Sequence, residues 1–243
     1  MMYTAGADTT AITLTSFFLA MVMNPKVQRK AQEEIDNVIG TDRLPRFEDR
    51  DKLPYVESVV QEAYRWFPVV PLCFPHAMLE DAIEKGYNIP KGAIILPAIW
   101  WFLHDPEVYA EPDVFDPERF LEPRKEPDPK NEAFGYGRRV CPGRNFADSS
   151  VFLTIAKTLA ALDITKAVNN HGKEIEVKFG VTPGVLSHPL AFSCNIEPRS
   201  KKHAELVRSV EVEQPREESD ASRLCITTTA SQLTAKEDVP KTS

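Results

Sequence analysis

The spacing of apolar residues predicts four helices. In each segment, apolar side chains recur at intervals of three and four positions, as they do on the buried face of a helix. Prolines and a glycine near the segment ends support the boundaries, because Pro suits the first helical turn and Gly often follows the last. The predicted helices extend from the first residues to about Asn24 and over residues 25–39, 54–67 and 145–162.

The segments between these helices predict short strands and loops. The stretch from Gly86 to Ala98 has apolar residues on both sides of Pro90-Lys91-Gly92, which predicts two short strands joined at that turn. Residues 105–133 are rich in proline and charge and predict an irregular loop, while residues 174–198 predict short strands around Pro183-Gly184. The pattern as a whole predicts a mainly α-helical fold with small β-sheets.

The last part of the chain differs in composition from the rest. From Lys201 onward it contains no glycine and no Phe, Tyr or Trp, and charged residues, Ser and Thr dominate. Such a segment buries too little apolar surface to offset the entropy of the chain. We therefore predict that residues 201–243 form a disordered tail and that residues 1–200 hold the folded domain.

Composition narrows the possible classes of function. The 243 residues carry 29 Lys and Arg against 36 Asp and Glu, and the net charge of −7 argues against nucleic-acid binding. The four cysteines are far apart, which argues against a disulfide framework and a clustered zinc site. The apolar stretches 11–23 and 94–103 are shorter than the roughly 20 residues of a membrane span. No Lys or Arg precedes the first stretch, as one would in an export signal, so we predict no membrane anchor.

One short segment, Phe134 to Arg144 (FGYGRRVCPGR), combines three glycines, three arginines and a cysteine. Clustered glycines mark sharp turns or a close approach of the backbone to a bulky group. Cys141 stands before a predicted helix and beside arginines, and helix amides and cations both stabilise a thiolate. A thiolate here can act as a nucleophile or as the ligand of a soft metal. A half-buried cysteine in a turn is the simpler alternative.

The order of residues in this segment resembles a known motif. The pattern Phe134-x-x-Gly137-x-Arg139-x-Cys141-x-Gly143 matches the haem-binding loop of the cytochrome P450 superfamily at every defining position. The match is specific, because it fixes five positions within ten consecutive residues.

Other segments resemble motifs of the same family, in the family's order. AGADTT (residues 5–10) is similar to its oxygen-binding helix, EAYR (residues 62–65) to its E-x-x-R pair, and PERF (residues 117–120) to its meander motif. The chain most resembles fungal members of the O-methylsterigmatocystin oxidoreductase type.

This resemblance implies a haem site. Cys141 is then the axial thiolate ligand of the iron, and Arg139 is a partner of a haem propionate. His76 resembles a second propionate partner, although a surface or turn histidine is an equal alternative. The implied cofactor-binding residues are Phe134, Gly137, Arg139, Cys141, Gly143 and His76, and the implied metal ligand is Cys141.

The resemblance also assigns roles to residues outside the loop. Asp8 and Thr9 would deliver protons on the oxygen-binding side of the haem, whereas ordinary helix-capping residues are the alternative. Glu62 and Arg65 would form a buried structural triad with Arg119. Without the resemblance, the first two are an exposed ion pair three residues apart on one helix.

The resemblance covers about residues 3–200 and corresponds to the C-terminal half of the cytochrome P450 fold, with the N-terminal half absent. It implies a small organic substrate, O2 and an NADPH-dependent reductase as partners, and no nucleic acid. Residues 69–72 and 184–187 are the substrate-facing candidates. The family implies the endoplasmic reticulum membrane, reached through an anchor that this chain lacks, so we expect the chain by itself in the cytoplasm.

Two hypotheses about function follow. In the first, the protein is a haem-thiolate monooxygenase that inserts one oxygen atom from O2 into an organic substrate. In the second, it is a non-catalytic, truncated remnant that cannot form a complete haem pocket. A zinc protein is a third hypothesis.

Overall fold

A computed structural model describes residues 2–213 of the chain. The helices are α1 (Met2–Met23), α2 (Pro25–Val38), α3 (Pro54–Trp66), α4 (Ile99–His104), α5 (Lys130–Ala133), α6 (Arg144–Ala161) and α7 (Lys201–Glu213). Short 3-10 helices cover Phe47–Lys52, Pro117–Phe120 and Gly137–Arg139. The strands are β1 (His76–Ala77), β2 (Ala82–Glu84), β3 (Tyr87–Ile89), β4 (Ile94–Ile95), β5 (Leu162–Lys166) and β6 (Cys194–Pro198).

The predicted helices are confirmed to within one or two residues. Pro25 and Pro54 occupy first helical turns, and Gly40 follows α2 with a left-handed φ of +79°. Helix α3 lies at the centre of the core and packs against α1, α2 and α6. Its polar side is also buried, because Ser58, Glu62 and Arg65 are at most 1% exposed. The alternative of an exposed ion pair on α3 was therefore wrong.

The strands pair differently from the prediction. Strands β3 and β4 exist as expected, but β3 pairs with β2 and β4 pairs with β1, all antiparallel. Lys85 and Gly86 join β2 to β3 with φ values of +47° and +84°, the left-handed conformation of a tight hairpin. The turn at Pro90-Lys91-Gly92 brings β4 back onto β1, where Gly92 N donates to Met78 O at 2.9 Å.

The longest strand pair closes the core beside α6. Strand β5 begins immediately after α6 and pairs with β6 from Leu162–Pro198 to Lys166–Cys194. A side chain completes the other edge of β5, since the Gln28 amide donates to Ile164 O at 3.0 Å and accepts from Ile164 N at 2.9 Å. Of residues 174–198, only β6 forms a strand, and an isolated bridge between Val181 and Pro189 encloses the predicted turn.

The prediction of a disordered tail was wrong for residues 201–213, which form α7. Arg199, just before α7, holds the Asp36 carboxylate through Nη1 and Nη2 at 2.9 and 2.5 Å, and Lys202 Nζ lies 2.5 Å from Asp42. Composition missed the helix because its apolar residues are few but helically spaced. A boundary between two compact units of the chain follows Val207. The rest of the predicted tail, residues 214–243, lies outside the described residues.

Helix α1 is longer than its apolar stretch suggests. Within residues 2–213, one helical segment, Ala5–Met23, is long and apolar enough to cross a membrane by length and composition alone. The predicted apolar stretch, residues 11–23, is therefore only part of the helical segment that is long enough to span a membrane. Phe17, Leu19 and Met21 are nevertheless packed in the core, as in an interior helix of a folded domain.

Candidate functional site

The segment around Cys141 forms a closed loop between α5 and α6. The Cys141 amide donates to Phe134 O at 2.8 Å, which joins the two ends of the loop. Gly135 and Gly137 have φ values of +75° and +55° in the left-handed region, which favours glycine. Gly135 and Gly137 are therefore needed to turn the backbone, as the clustered glycines predicted.

The Cys141 thiol is exposed and unbridged, and it stands directly before the long helix α6. A Cβ atom at position 143 would lie 3.8 Å from the Cys141 sulfur, in ordinary van der Waals contact, and would cover that side of the sulfur. Glycine at this position therefore leaves one side of the sulfur open. The amides of the first turn of α6 favour negative charge next to the loop.

The surface around the loop combines cations and apolar side chains. Arg138 and Arg139 are exposed, and so are Val140 and Phe146, the latter at 81%. The segment from Leu72 to Phe74 runs beside the loop, because the Cys73 sulfur lies 4.0 Å from the Cβ position of Gly135. Leu72 and Phe74 are 55% and 60% exposed. Exposed apolar side chains near the loop suit a large, flat, apolar ligand.

The predicted proton-delivery residues lie on α1, which packs against α6. The Thr9 hydroxyl donates to Ala5 O at 2.7 Å, within the helix. The Asp8 carboxylate lies 3.7 Å from Nε2 of His188, and both side chains are about half exposed, at 46% and 45%. The acid and the hydroxyl thus occupy neighbouring positions, and the imidazole beside the acid was not foreseen from the sequence.

The two substrate-facing candidates lie side by side in the structure. Ser187 N donates to Val69 O at 2.9 Å, which joins the turn 184–187 to the segment 69–72. His76 belongs to β1, opposite Ile95, and is half-buried. The structure therefore brings the two candidate substrate-facing segments together. It also places Asp8 near them, because His188 directly follows the turn 184–187.

Glu62, Arg65 and Arg119 form a completely buried cluster with 0% exposure. Arg65 Nε and Nη2 donate to the Glu62 carboxylate at 2.8 and 2.9 Å, and Arg119 Nε donates to it at 3.1 Å. Burial raises the pKa of Glu62, and the two guanidinium groups oppose that rise. The other guanidinium N–H groups donate to the carbonyls of Leu103, Ala110 and Val114.

Two neighbours of this cluster were missed in the sequence. Glu126 accepts from Arg119 Nη1 at 2.7 Å, and no spacing rule connects these residues. His104 is 5% exposed and stacks on Trp100 at a ring distance of 4.4 Å. Burial and the charge of Arg65 lower the pKa of His104 to about 4. Glu126 lies within residues 105–133, the segment that the sequence predicted to be an irregular loop, and His104 lies directly before it.

Comparison with known proteins bears on these motifs. The family model described as Cytochrome P450 matches residues 1–193. The chain belongs to the cytochrome P450 family. This match confirms the family predicted from the Cys141 motif and accounts for the mainly helical fold with small sheets.

Similar proteins support the same family. Cytochrome P450 monooxygenase CLM2 from Gibberella zeae is 52% identical over 224 residues, which cover 92% of this chain and 42% of that protein. The O-methylsterigmatocystin oxidoreductase of Aspergillus flavus is 45% identical over 220 residues, covering 89% of this chain and 41% of that protein. A solved structure of a zebra fish cytochrome P450 with abiraterone is similar with a TM-score of 0.69 and 32% identity, over 81% of this chain and 46% of that one.

The chain spans about two fifths of the length of these curated relatives. The matches confirm the predicted resemblance to fungal monooxygenases and a partial P450 fold. The family implies a haem cofactor, and the surroundings of Cys141 fit one, since they offer an exposed sulfur, exposed arginines and open apolar side chains. Among residues 2–213 there is no cluster of three or more His, Cys, Asp or Glu side chains that could hold a metal ion by themselves.

Proposed function

We propose that this chain carries the haem-thiolate site of a P450 monooxygenase, which inserts one oxygen atom from O2 into a small organic substrate. The observation that carries the proposal is the Cys141 loop, in which an exposed sulfur stands before α6 beside exposed arginines. Electrons would come from an NADPH-dependent reductase. The location that the family implies, the endoplasmic reticulum membrane, stays a prediction, and cell fractionation can test it.

Each loop residue has a distinct role in this proposal. Cys141 ligates the iron through its sulfur, while Gly137 and Gly143 keep the backbone close to the ligand. Arg139 pairs with a propionate, and His76 is a second propionate partner. Phe134 supplies the carbonyl that fixes the Cys141 amide at 2.8 Å. Haem bound through a thiolate supplies the activation of O2.

The residues of α1 would move protons. Thr9 uses its hydroxyl proton on Ala5 O, which leaves its oxygen lone pairs able to accept a hydrogen bond from a water molecule. Asp8, one residue earlier, is exposed enough to exchange protons with solvent and to pass them toward that water. General-acid assistance of this kind is typically worth about 10²–10⁴ in rate. Glu62, Arg65 and Arg119 take no part in the reaction and hold the scaffold behind the loop.

A second candidate function is the non-catalytic remnant. It is supported by the exposure of the Cys141 sulfur and of the apolar side chains around it, which are free to associate with other molecules when no ligand covers them. This hypothesis predicts weak haem binding and aggregation of the 243-residue chain.

One experiment separates the two candidates. Haem is titrated into the purified 243-residue chain, the product is analysed by size-exclusion chromatography, and the spectrum of the reduced CO complex is recorded. The monooxygenase hypothesis predicts a monodisperse species with one haem per chain and the red-shifted Soret band of thiolate ligation. Cys141→Ala abolishes this band, whereas the matched variants Cys73→Ala and Cys194→Ala retain it. A thiolate spectrum that survives in Cys141→Ala would contradict the assignment of the ligand.

A further inference from the structure

Both ends of the Cys141 loop carry a charged residue that is largely buried. Lys130 opens α5, just before the loop, and its side chain is 13% exposed. Asp148 lies in the first part of α6, just after the loop, and is 18% exposed. Lys130 Nζ lies 3.5 Å from Asp148 Oδ1, an ion pair without a hydrogen bond, so the two ends of the loop are joined by charge as well as by the backbone.

Two further charges attach this pair to the core. Lys130 Nζ donates to Glu57 Oε1 on α3 at 3.0 Å, and Arg50 Nη1 lies 2.8 Å from Asp148 Oδ2. Arg50 closes the ring by donating to both Glu57 oxygens at 2.8 and 2.9 Å. We call Arg50, Glu57, Lys130 and Asp148 the four-residue charge cluster.

The electrostatics of the cluster favour the charged form of Lys130. Burial by itself lowers the pKa of Lys130, but the charges of Glu57, Asp148 and Asp128 outweigh it and raise that pKa. Two cations and two anions within the cluster balance each other, so it presents no net charge to a ligand. Burying four charges carries a desolvation penalty, and the ion pairs often stabilise the fold by no more than that penalty. A gain in stability therefore does not by itself explain such a cluster.

The cluster lies next to the group that fixes Cys141. On α3, two turns after Glu57, the ring of Tyr64 packs edge-on against Phe134 at 5.3 Å. Phe134 O in turn accepts the Cys141 amide. Helix α5 has only four residues and cannot hold its own position, because so short a helix is unstable by itself. Its place relative to α6 therefore depends on its contacts with other elements, which are the packing of α5 on α3 and α4 and the ion pairs of Lys130.

We propose that the four-residue charge cluster is a clamp that positions the Cys141 loop by fixing the separation of its two ends. Lys130 and Asp148 are positioning residues in this proposal, because they act on the sulfur through the loop backbone. The consequence for haem ligation rests on the proposed function, whereas the clamp itself is a property of the chain without a ligand.

Hydrogen exchange of the 243-residue chain, measured by mass spectrometry, tests the clamp. In Lys130→Met and Asp148→Asn, the peptide containing Val140 and Cys141 is expected to exchange about tenfold faster or more, the size expected for loss of a charged hydrogen bond. Exchange in β5, around Ile164, stays unchanged because β5 lies outside the cluster. Lys130→Arg keeps the charge and restores slow exchange in the loop.

The matched control is Lys30→Met, which removes an exposed ion pair of Lys30 with Glu118 at 2.6 Å and leaves loop exchange unchanged. Unchanged loop exchange in Lys130→Met and Asp148→Asn would overturn the clamp. So would equally faster exchange in the loop and in β5, since that result indicates general destabilisation.

A haem titration of the same proteins separates the clamp from the proposed function. Faster loop exchange together with no haem binding by the wild-type chain supports the clamp and contradicts the proposed function. Haem binding by the wild-type chain with unchanged loop exchange in the variants supports the proposed function and contradicts the clamp.

Discussion

The Glu62 cluster and the Cys141 loop are both rich in arginine, yet they differ completely in their surroundings. In the cluster, Arg65 and Arg119 are 0% exposed, and their N–H groups donate to the Glu62 and Glu126 carboxylates and to backbone carbonyls of the same chain. In the loop, Arg138, Arg139 and Cys141 are exposed. The scaffold therefore pairs its charges within the chain, whereas the loop leaves its charges and its sulfur available to a ligand.

The largest expected effect comes from breaking the buried cluster. Arg119→Met leaves part of the Glu62 charge buried without a partner, and such losses cost about 3–5 kcal/mol. We expect the free energy of unfolding, measured by urea denaturation, to fall by that amount.

The matched variant Arg139→Met removes an arginine from the exposed loop. It is expected to change the free energy of unfolding by less than about 0.5 kcal/mol. Equal effects of the two variants would remove the distinction between scaffold and loop.

A second prediction uses pH to probe the border of the cluster. The pKa of His104 falls from an ordinary 6.5 to about 4 in the folded chain. Between these values the unfolded chain binds a proton that the folded chain does not, so stability is lost as the pH falls from about 6.5 to about 4. The linkage amounts to roughly 2–3 kcal/mol.

Urea denaturation at several pH values measures this contribution. His104→Asn should lose less stability over the window than the wild type, because the titrating group is gone. The exposed His171 provides the control, and His171→Asn should follow the wild-type curve. If His104→Asn also follows that curve, burial of His104 beside Arg65 is not what makes the scaffold sensitive to acid.

The smallest expected effect lies where the two regions approach each other. Tyr64 is 6% exposed, and among residues 2–213 its hydroxyl has no hydrogen-bond partner. Burial raises the pKa of Tyr64, and the nearby Asp148 charge adds to the rise. Tyr64→Phe removes an unpaired polar atom while keeping the ring against Phe134. The free energy of unfolding should therefore stay unchanged or rise by up to about 1 kcal/mol.

The control for Tyr64→Phe is a buried tyrosine with a partner. The Tyr109 hydroxyl donates to Pro127 O at 3.2 Å, so Tyr109→Phe should lower the free energy of unfolding by about 1 kcal/mol. A loss of stability in Tyr64→Phe as large as that in Tyr109→Phe would show that the Tyr64 hydroxyl has a partner after all.

Features that depend on neighbouring residues could be predicted from the amino-acid sequence. Prolines, a glycine and the helical spacing of apolar side chains were sufficient to place α2, α3 and α6. The Cys141 motif was sufficient to indicate the family, because it is contained within ten consecutive residues. These signals are local, so no knowledge of the folded chain was needed.

Features that depend on distant residues could be seen only in the folded chain. Strand β4 pairs with β1 instead of β3, and Arg119 reaches Glu62 across 57 positions. Lys130 donates to Glu57, which lies 73 positions away in the sequence, and no sequence pattern predicted this contact. Strand pairing and the burial of charge are set by which surfaces the fold brings together, and spacing along the chain does not encode that choice.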